Sequence, residues 1–262
     1  HLTLPGANVA IQLRPHQLNW VYRSLVDGNG LADHVVGAGK TFAIIASMME
    51  MRRLGMANKP MIVVPNHLVG QWANDIMTLY PGANVLAASR KDFQKDRRKL
   101  LFSRIATGDW DMVVVAHSSF GRIPVPPETE KKILDDQLDE LVQAITEAKK
   151  EKGARFTVKD LERAKTKIEE KLKKLADRKQ DNALDFADLG VDAMAVDEAH
   201  EFKNLFYTTT MQGVAGLGSP TGSTRAFDMF VKTRYVAERA GGKNVFFATG
   251  TPVANSLAEV FH

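Results

Sequence analysis

Seven residues, Val35-Val36-Gly37-Ala38-Gly39-Lys40-Thr41, constrain this chain more than any other stretch. Gly37, Ala38 and Gly39 are small enough to let backbone N–H groups turn inward around an anion. Lys40 would neutralise β/γ-phosphate charge, and the Thr41 hydroxyl would hold Mg²⁺. The apolar run Phe42 to Met49 reads as a helix whose positive N-terminal end faces the same phosphates. One position departs from the full pattern G-x-x-x-x-G-K-[ST]: His34 stands where the first glycine belongs.

A second stretch completes the pattern. Ala193-Met194-Ala195-Val196 is a short apolar run that delivers Asp197 and Glu198 at its end. A buried strand ending in two carboxylates is how a nucleotide-hydrolysing site presents a metal ligand and a group for the attacking water. The two stretches together predict a nucleotide site.

The rest of the chain supplies the frame. Its 262 residues suffice for one large or two small domains, and 44% hydrophobic with 25% charged residues is an ordinary globular balance. No run of eighteen apolar residues suggests a membrane span, and the absence of cysteine excludes disulfides and thiolate metal sites. A cytoplasmic location is expected. The net charge of +4 is compatible with nucleic acid without requiring it.

Leu13-Arg14-Pro15-His16-Gln17 leads into a helical pattern through Leu18, Trp20, Val21 and Leu25. Gln17 offers the donor and acceptor that reading an adenine edge needs. Met61 to Val64, Asn84 to Ala88, Asp111 to Ala116 and Asn244 to Ala248 read as buried strands, alternating with helices over His67 to Leu79 and Ala226 to Arg239. Arg90, Lys91, Lys95, Arg97, Arg98 and Lys99 read as a solvated helix face. Tyr207 to Ser223, rich in Thr, Gly and Ser, reads as a loop.

Between Pro127 and Asp181 the composition becomes charged. Leu134, Leu138, Leu141, Ile145 and Ala148 form a heptad seam, facing a second helix through Val158, Leu161, Ile168, Leu172 and Leu175. Lys152 to Arg155 reads as the turn, and Thr157 with Asp160 as a capping box. The fold class predicted is α/β: a mostly parallel sheet flanked by helices, with an inserted antiparallel helical hairpin at 127–181. Strand-end motifs would then share one edge, with Thr249 and Thr251 near Asp197.

The order of these motifs resembles that of superfamily 2 helicases. L-R-P-H-Q, V-V-G-A-G-K-T, V-V-P-N-H-L-V-G-Q-W, V-D-E-A-H and A-T-G-T-P are similar to their motifs Q, I, Ia, II and III. Asp197 to Leu205 looks like the D-E-x-H-x-x-K-N signature of Swi/Snf-type translocases. H-x-V-G-A-G-K-T, V-P-N-H and T-G-T-P-V-A-N-S resemble more closely still the large phage and plasmid helicase proteins often fused to adenine DNA methyltransferases. A histidine at the position of His34 is expected in that group, as is a bacterial, phage or plasmid origin.

The resemblance implies a RecA-like P-loop NTPase domain of the DEAH-box type using ATP and Mg²⁺. It gives Gln17 an adenine-reading role and places Gly37, Ala38, Gly39, Lys40 and Thr41 on the nucleotide. Thr41 and Asp197 would hold Mg²⁺, Asp197 through water, and Glu198 would polarise the attacking water. His200, Thr249 and Thr251 would couple nucleotide state to grip on DNA. Pro65, Asn66, His67 and the His117-Ser118-Ser119 turn fall where relatives touch nucleic acid. The implied partners are double-stranded DNA, a second RecA-like domain carrying arginine fingers, and fused methyltransferase or restriction modules.

The chain is therefore expected to be a single domain, 1–262, cut from a longer protein. Alone it should be nearly inactive. A P-loop kinase or unrelated NTPase, and a non-hydrolysing DNA-binding or docking module, are the rival readings.

Overall fold

The structure, a computed structural model, describes residues 3–35, 37–150, 155–177, 184–203 and 223–251. Six strands form one sheet: β1 (Asn29–Ala32), β2 (Pro60–Val64), β3 (Val85–Ala88), β4 (Met112–Ala116), β5 (Ala193–Val196) and β6 (Val245–Ala248). Their order is β1-β6-β5-β2-β4-β3, and every pairing among them is parallel. The helices are α1 (Pro15–Asp27), α2 (Lys40–Arg53), α3 (Val69–Leu79), α4 (Arg98–Thr107), α5 (His117–Phe120), α6 (Pro127–Ala148), α7 (Arg155–Ala176) and α8 (Thr224–Arg239). The expected α/β architecture, a parallel sheet flanked by helices, is present.

Two compact units emerge. The first comprises His1–Pro124, Ala183–Glu201 and Lys232–Thr251, and holds the sheet. Its central strands are buried along their whole length, as in Met61-Ile62-Val63-Val64 and Met112 to Val115, each at 0% exposure. A strand covered on both faces has no room for alternation, which is why these runs are continuously apolar. Each fully buried side chain contributes roughly 1.5–3 kcal/mol relative to exposure. The register sets Ile62 beside both Val114 and Ala195, and Ala195 beside Phe246. At the amino end of β6, Asn244 holds a left-handed φ of 69° and donates to the Met56 and Asp192 carbonyls.

The sequence missed β1. Its residues, Asn-Gly-Leu-Ala, lack a strand's usual apolar content, and only Ala32 is buried. Gly30 is required there: a Cβ would lie 2.8 Å from the Trp20 ring of α1. Tertiary packing of a helix against an edge strand thus overrides weak local propensity.

The second unit comprises Val125–Asn182, Phe202–Val231 and Pro252–His262. The seam expected of the hairpin forms, with Leu134, Leu141, Ile145 and Ala148 of α6 buried against Leu161, Ala164, Ile168 and Leu175 of α7. Lys149 and Glu162 face each other at 3.2 Å near the turn. Two details differ from expectation. Helix α7 already begins at Arg155, so Thr157 and Asp160 lie inside its first turns rather than capping it, and Asp160 instead accepts from Arg163 three residues on. The hairpin's apolar face is also not consumed by its own two helices, because Phe227 and Val231 of α8 join the same cluster. The turn at 152–154 and the loop at 207–222 lie outside the described residues.

Truncating Leu141 to alanine should destabilise this unit by about 2–5 kcal/mol, the usual range for a buried leucine. The exposed neighbour Val142→Ala should stay within about 0.5 kcal/mol. Urea unfolding followed by circular dichroism measures both, and equal effects would contradict the packing described.

Candidate functional site

Because every strand runs in one direction, all the carboxyl ends lie on one edge of the sheet. From β1 emerges the glycine loop, from β2 Pro65-Asn66-His67, from β4 the turn of α5, from β5 Asp197-Glu198, and from β6 Thr249-Gly250-Thr251. Ligands of such sheets bind at this edge.

The glycine loop is shaped by its own backbone and clamped by α1. Gly37 and Gly39 have φ of 84° and 81°, a region that costs other L-residues about 1–2 kcal/mol. A Cβ on Gly39 would also meet Gln17 Nε2 at 2.5 Å. Gln17 is buried, donating to the Gly39 carbonyl at 2.8 Å and accepting from the Arg14 N–H at 2.7 Å. His16 Nε2 reaches the Ala38 carbonyl at 2.8 Å, and since a carbonyl only accepts, that nitrogen carries the hydrogen. His34 stands edge-on to both His16 and Trp20. The histidine in place of glycine thus packs against α1, while its carbonyl accepts from Lys40 Nζ at 2.8 Å. Thr41 follows on the first turn of α2, half-buried. Val36 lies outside the described residues.

Asp197 is 8% exposed and held from three directions. Its N–H donates to the Val63 carbonyl at 2.9 Å, its own carbonyl accepts from His117 Nε2 at 2.9 Å, and the Trp72 indole lies beside its carboxylate. Burial pushes the carboxyl above its ordinary range and Glu198 adds like-charge repulsion. The Glu198 backbone N–H, Trp72 and Lys40 pull the other way.

Glu198 sits at φ 50°, outside ordinary L-residue space. Its carboxylate lies 3.1 Å from His200 Nδ1, and Thr249 Oγ1 lies 3.0 Å from the same nitrogen. Thr249 is buried and also accepts the Thr251 N–H at 3.1 Å. Glu198, His200, Thr249 and Thr251 therefore form one connected chain across β5 and β6.

On the β2 and β4 ends, exposed Asn66 accepts the Ser118 N–H at 3.1 Å. His67 and Ser118 are exposed and Pro65 is half-buried, whereas His117 and Ser119 turn inward. Three residues were missed as supports: His16, Trp72 and His117. Each acts on a partner distant in sequence, so spacing carried no signal. Among the described residues no three His, Cys, Asp or Glu side chains cluster to hold a metal, and no helix is long and apolar enough to cross a membrane.

The Asp197 shift has a stability consequence. As pH rises through the ordinary aspartate value, the unfolded chain releases its proton first, so stability falls until the folded carboxyl also titrates. Asp197→Asn should accordingly raise the thermal midpoint at pH 7, with the two proteins converging near pH ~3, where the aspartate is neutral in both states. Melting curves across that range decide it, and a variant less stable at pH 7 would contradict the burial argument.

Comparison with known proteins adds the family. A model described as "Probable helicase domain" matches residues 20–262. The chain is 22% identical over 302 residues to "Defense against restriction protein B" of Escherichia phage P1, an alignment covering 100% of this chain and 13% of that protein. It therefore spans about an eighth of that relative's length. Among solved structures, a Sulfolobus solfataricus SWI2/SNF2 ATPase core in complex with dsDNA is similar at TM-score 0.45 and 15% identity, over 96% of this chain and 35% of the other. With the family model matched over nearly its whole length, this chain belongs to the probable helicase domain family.

Proposed function

We propose that this chain is the first RecA-like motor domain of a DEAH-box DNA helicase or translocase, coupling ATP hydrolysis to movement along DNA. The observation that carries the reading is the convergence of the glycine loop, the Asp197-Glu198 pair and the His200–Thr249 contact on one sheet edge. Membership of a helicase family supports it. In this reading 1–262 is one RecA-like domain of a longer protein, and 127–181 is a helical hairpin inserted in it.

The residues fit a magnesium nucleotide. Mg²⁺ prefers one or two carboxylates plus phosphate and water oxygens over an all-protein cage. The buried Asp197 at the end of β5 and the Thr41 hydroxyl after the glycine loop supply such a donor set. When bound, the metal neutralises phosphate charge. Lys40 exchanges the His34 carbonyl for phosphate oxygens. In the loop shaped by α1, the Ala38 N–H is held by the Val35 carbonyl at 3.1 Å and would turn to the phosphates together with those of Gly37 and Gly39. The Gln17 amide has already spent one donor and one acceptor on the protein, so its remaining N–H and lone pair are what would read adenine.

Glu198 orients and polarises the attacking water, and its contact with His200 passes that state to Thr249 and Thr251. Pro65, Asn66, His67 and Ser118 would meet the backbone of double-stranded DNA. A second RecA-like domain would supply an arginine to the transferred phosphate, a contribution of about 10³–10⁵ in turnover. Fused methyltransferase or restriction modules would set where the motor is used.

The test separates the two carboxylates in the full-length protein. Glu198→Gln should keep ATP binding and lower DNA-stimulated turnover by about 10²-fold or more, the scale of acid–base contributions. Asp197→Ala should instead weaken Mg²⁺-dependent nucleotide binding. Exchange of the two phenotypes would overturn the roles, and turnover indifferent to DNA would favour an unrelated NTPase.

A further inference from the structure

The sheet order ends β2-β4-β3, so the segment after β3 leaves the same edge as Asn66 and Ser118. That segment is Ser89 to Lys99, with Arg90, Lys91, Lys95, Arg97, Arg98 and Lys99 set against Asp92 and Asp96. These cations do not share a helix face, as the sequence suggested. Four of them precede α4, on successive turns closed by Asp92 N–H to Ser89 O, Gln94 N–H to Lys91 O, and Arg97 N–H to Gln94 O.

This segment is built. Phe93 is 3% exposed and packs edge-on against Phe102 of α4, pinning the middle of the run. Asp92 turns back to accept from the Ser89 N–H at 2.8 Å and the Ser89 hydroxyl at 2.6 Å, and it acts on Arg97 and Arg104 through space rather than in a salt bridge. Arg90, Lys91, Lys95, Arg97 and Lys99 are exposed, and none forms a salt bridge within 4.0 Å among the described residues. An ordered turn that holds like charges together opposes their repulsion, and a polyanion relieves it.

We propose that residues 90–99 form a rail for the phosphate backbone of duplex DNA, extending the surface begun by Asn66, His67 and Ser118. The inference rests on the DNA-motor reading and adds to it a sequence-independent grip. With six cations among its ten residues against Asp92 and Asp96, the rail neutralises phosphates and releases their counterions. An acidic protein partner would want an apolar centre, and among the described residues this segment exposes no large apolar side chain, Leu100 following it on α4.

The experiment is fluorescence anisotropy of a labelled duplex titrated with the full-length protein over a salt series. It compares the natural protein with the combined variant Arg90→Gln, Lys91→Gln, Lys95→Gln and Arg97→Gln. We expect affinity to fall by about tenfold or more, and the slope of log K against log salt to become shallower by about 0.9 for each phosphate no longer neutralised. The loss should be equal for duplexes of unrelated sequence. A benzophenone amino acid at exposed Gln94 should crosslink to the duplex in an otherwise natural protein, a readout independent of how the combined variant folds. Duplex binding with unchanged affinity and slope in the variant, or no crosslink from position 94, overturns the rail while leaving the motor reading standing. A natural protein that binds no duplex even at low salt overturns both.

Discussion

A parallel sheet buried on both faces leaves almost nowhere inside it for polar chemistry. β2, β4 and β5 are covered along their length, and any charged side chain in them would need a partner that the neighbouring strands cannot supply. Polar function is therefore displaced to the strand ends, and a single strand direction sends it to one edge. The concentration of Lys40, Asp197, Glu198, His200 and Thr249 there follows from the burial of Ile62, Val114 and Ala195 as directly as from any need of the reaction. The sheet's stability and the position of its chemistry have one cause.

Within that edge, the parts are held by bonds that cross the fold. Helix α1 grips two successive carbonyls of the glycine loop through His16 and Gln17, and packs a third loop residue, His34, against its aromatic rings. Asp197 is fixed through its N–H and its carbonyl, with Trp72 beside its carboxylate. Glu198, the next residue, adopts a backbone conformation that costs of order 1–3 kcal/mol and persists only where surroundings over-determine it. The firm hold on Asp197 is what makes the strained position beside it tenable.

Much of this was legible in the sequence, for identifiable reasons. Long apolar runs such as Met61 to Val64 have few alternatives to a buried strand, and the glycine-lysine-threonine loop has few to an anion cradle. The heptad seam of α6 and α7 was equally plain, because its period is local. The features that escaped depended on distant partners. β1 is a strand by virtue of β6 and Trp20, not of Asn29 and Gly30. The capping box at Thr157 was displaced because helix propensity continued upstream to Arg155. Phe227 and Val231 joined the hairpin across a long chain separation that no period reveals. The cations after β3 looked like a helix face because the turn-forming contacts of Asp92 and Phe93 leave no periodic trace.

The placement of Trp72 beside Asp197 has an optical meaning. An indole beside a carboxylate is a natural fluorophore in the field of that charge, and Trp72 is shielded from water at 2% exposure. Trp20 stands edge-on to His34, while Trp110 lies away from the loop beside Arg104. Two of the chain's three tryptophans thus border its two defining stretches. Any event that moves the Asp197 carboxylate or the glycine loop changes the emission of a residue already in place, so the protein reports on the state of its own site without an added label.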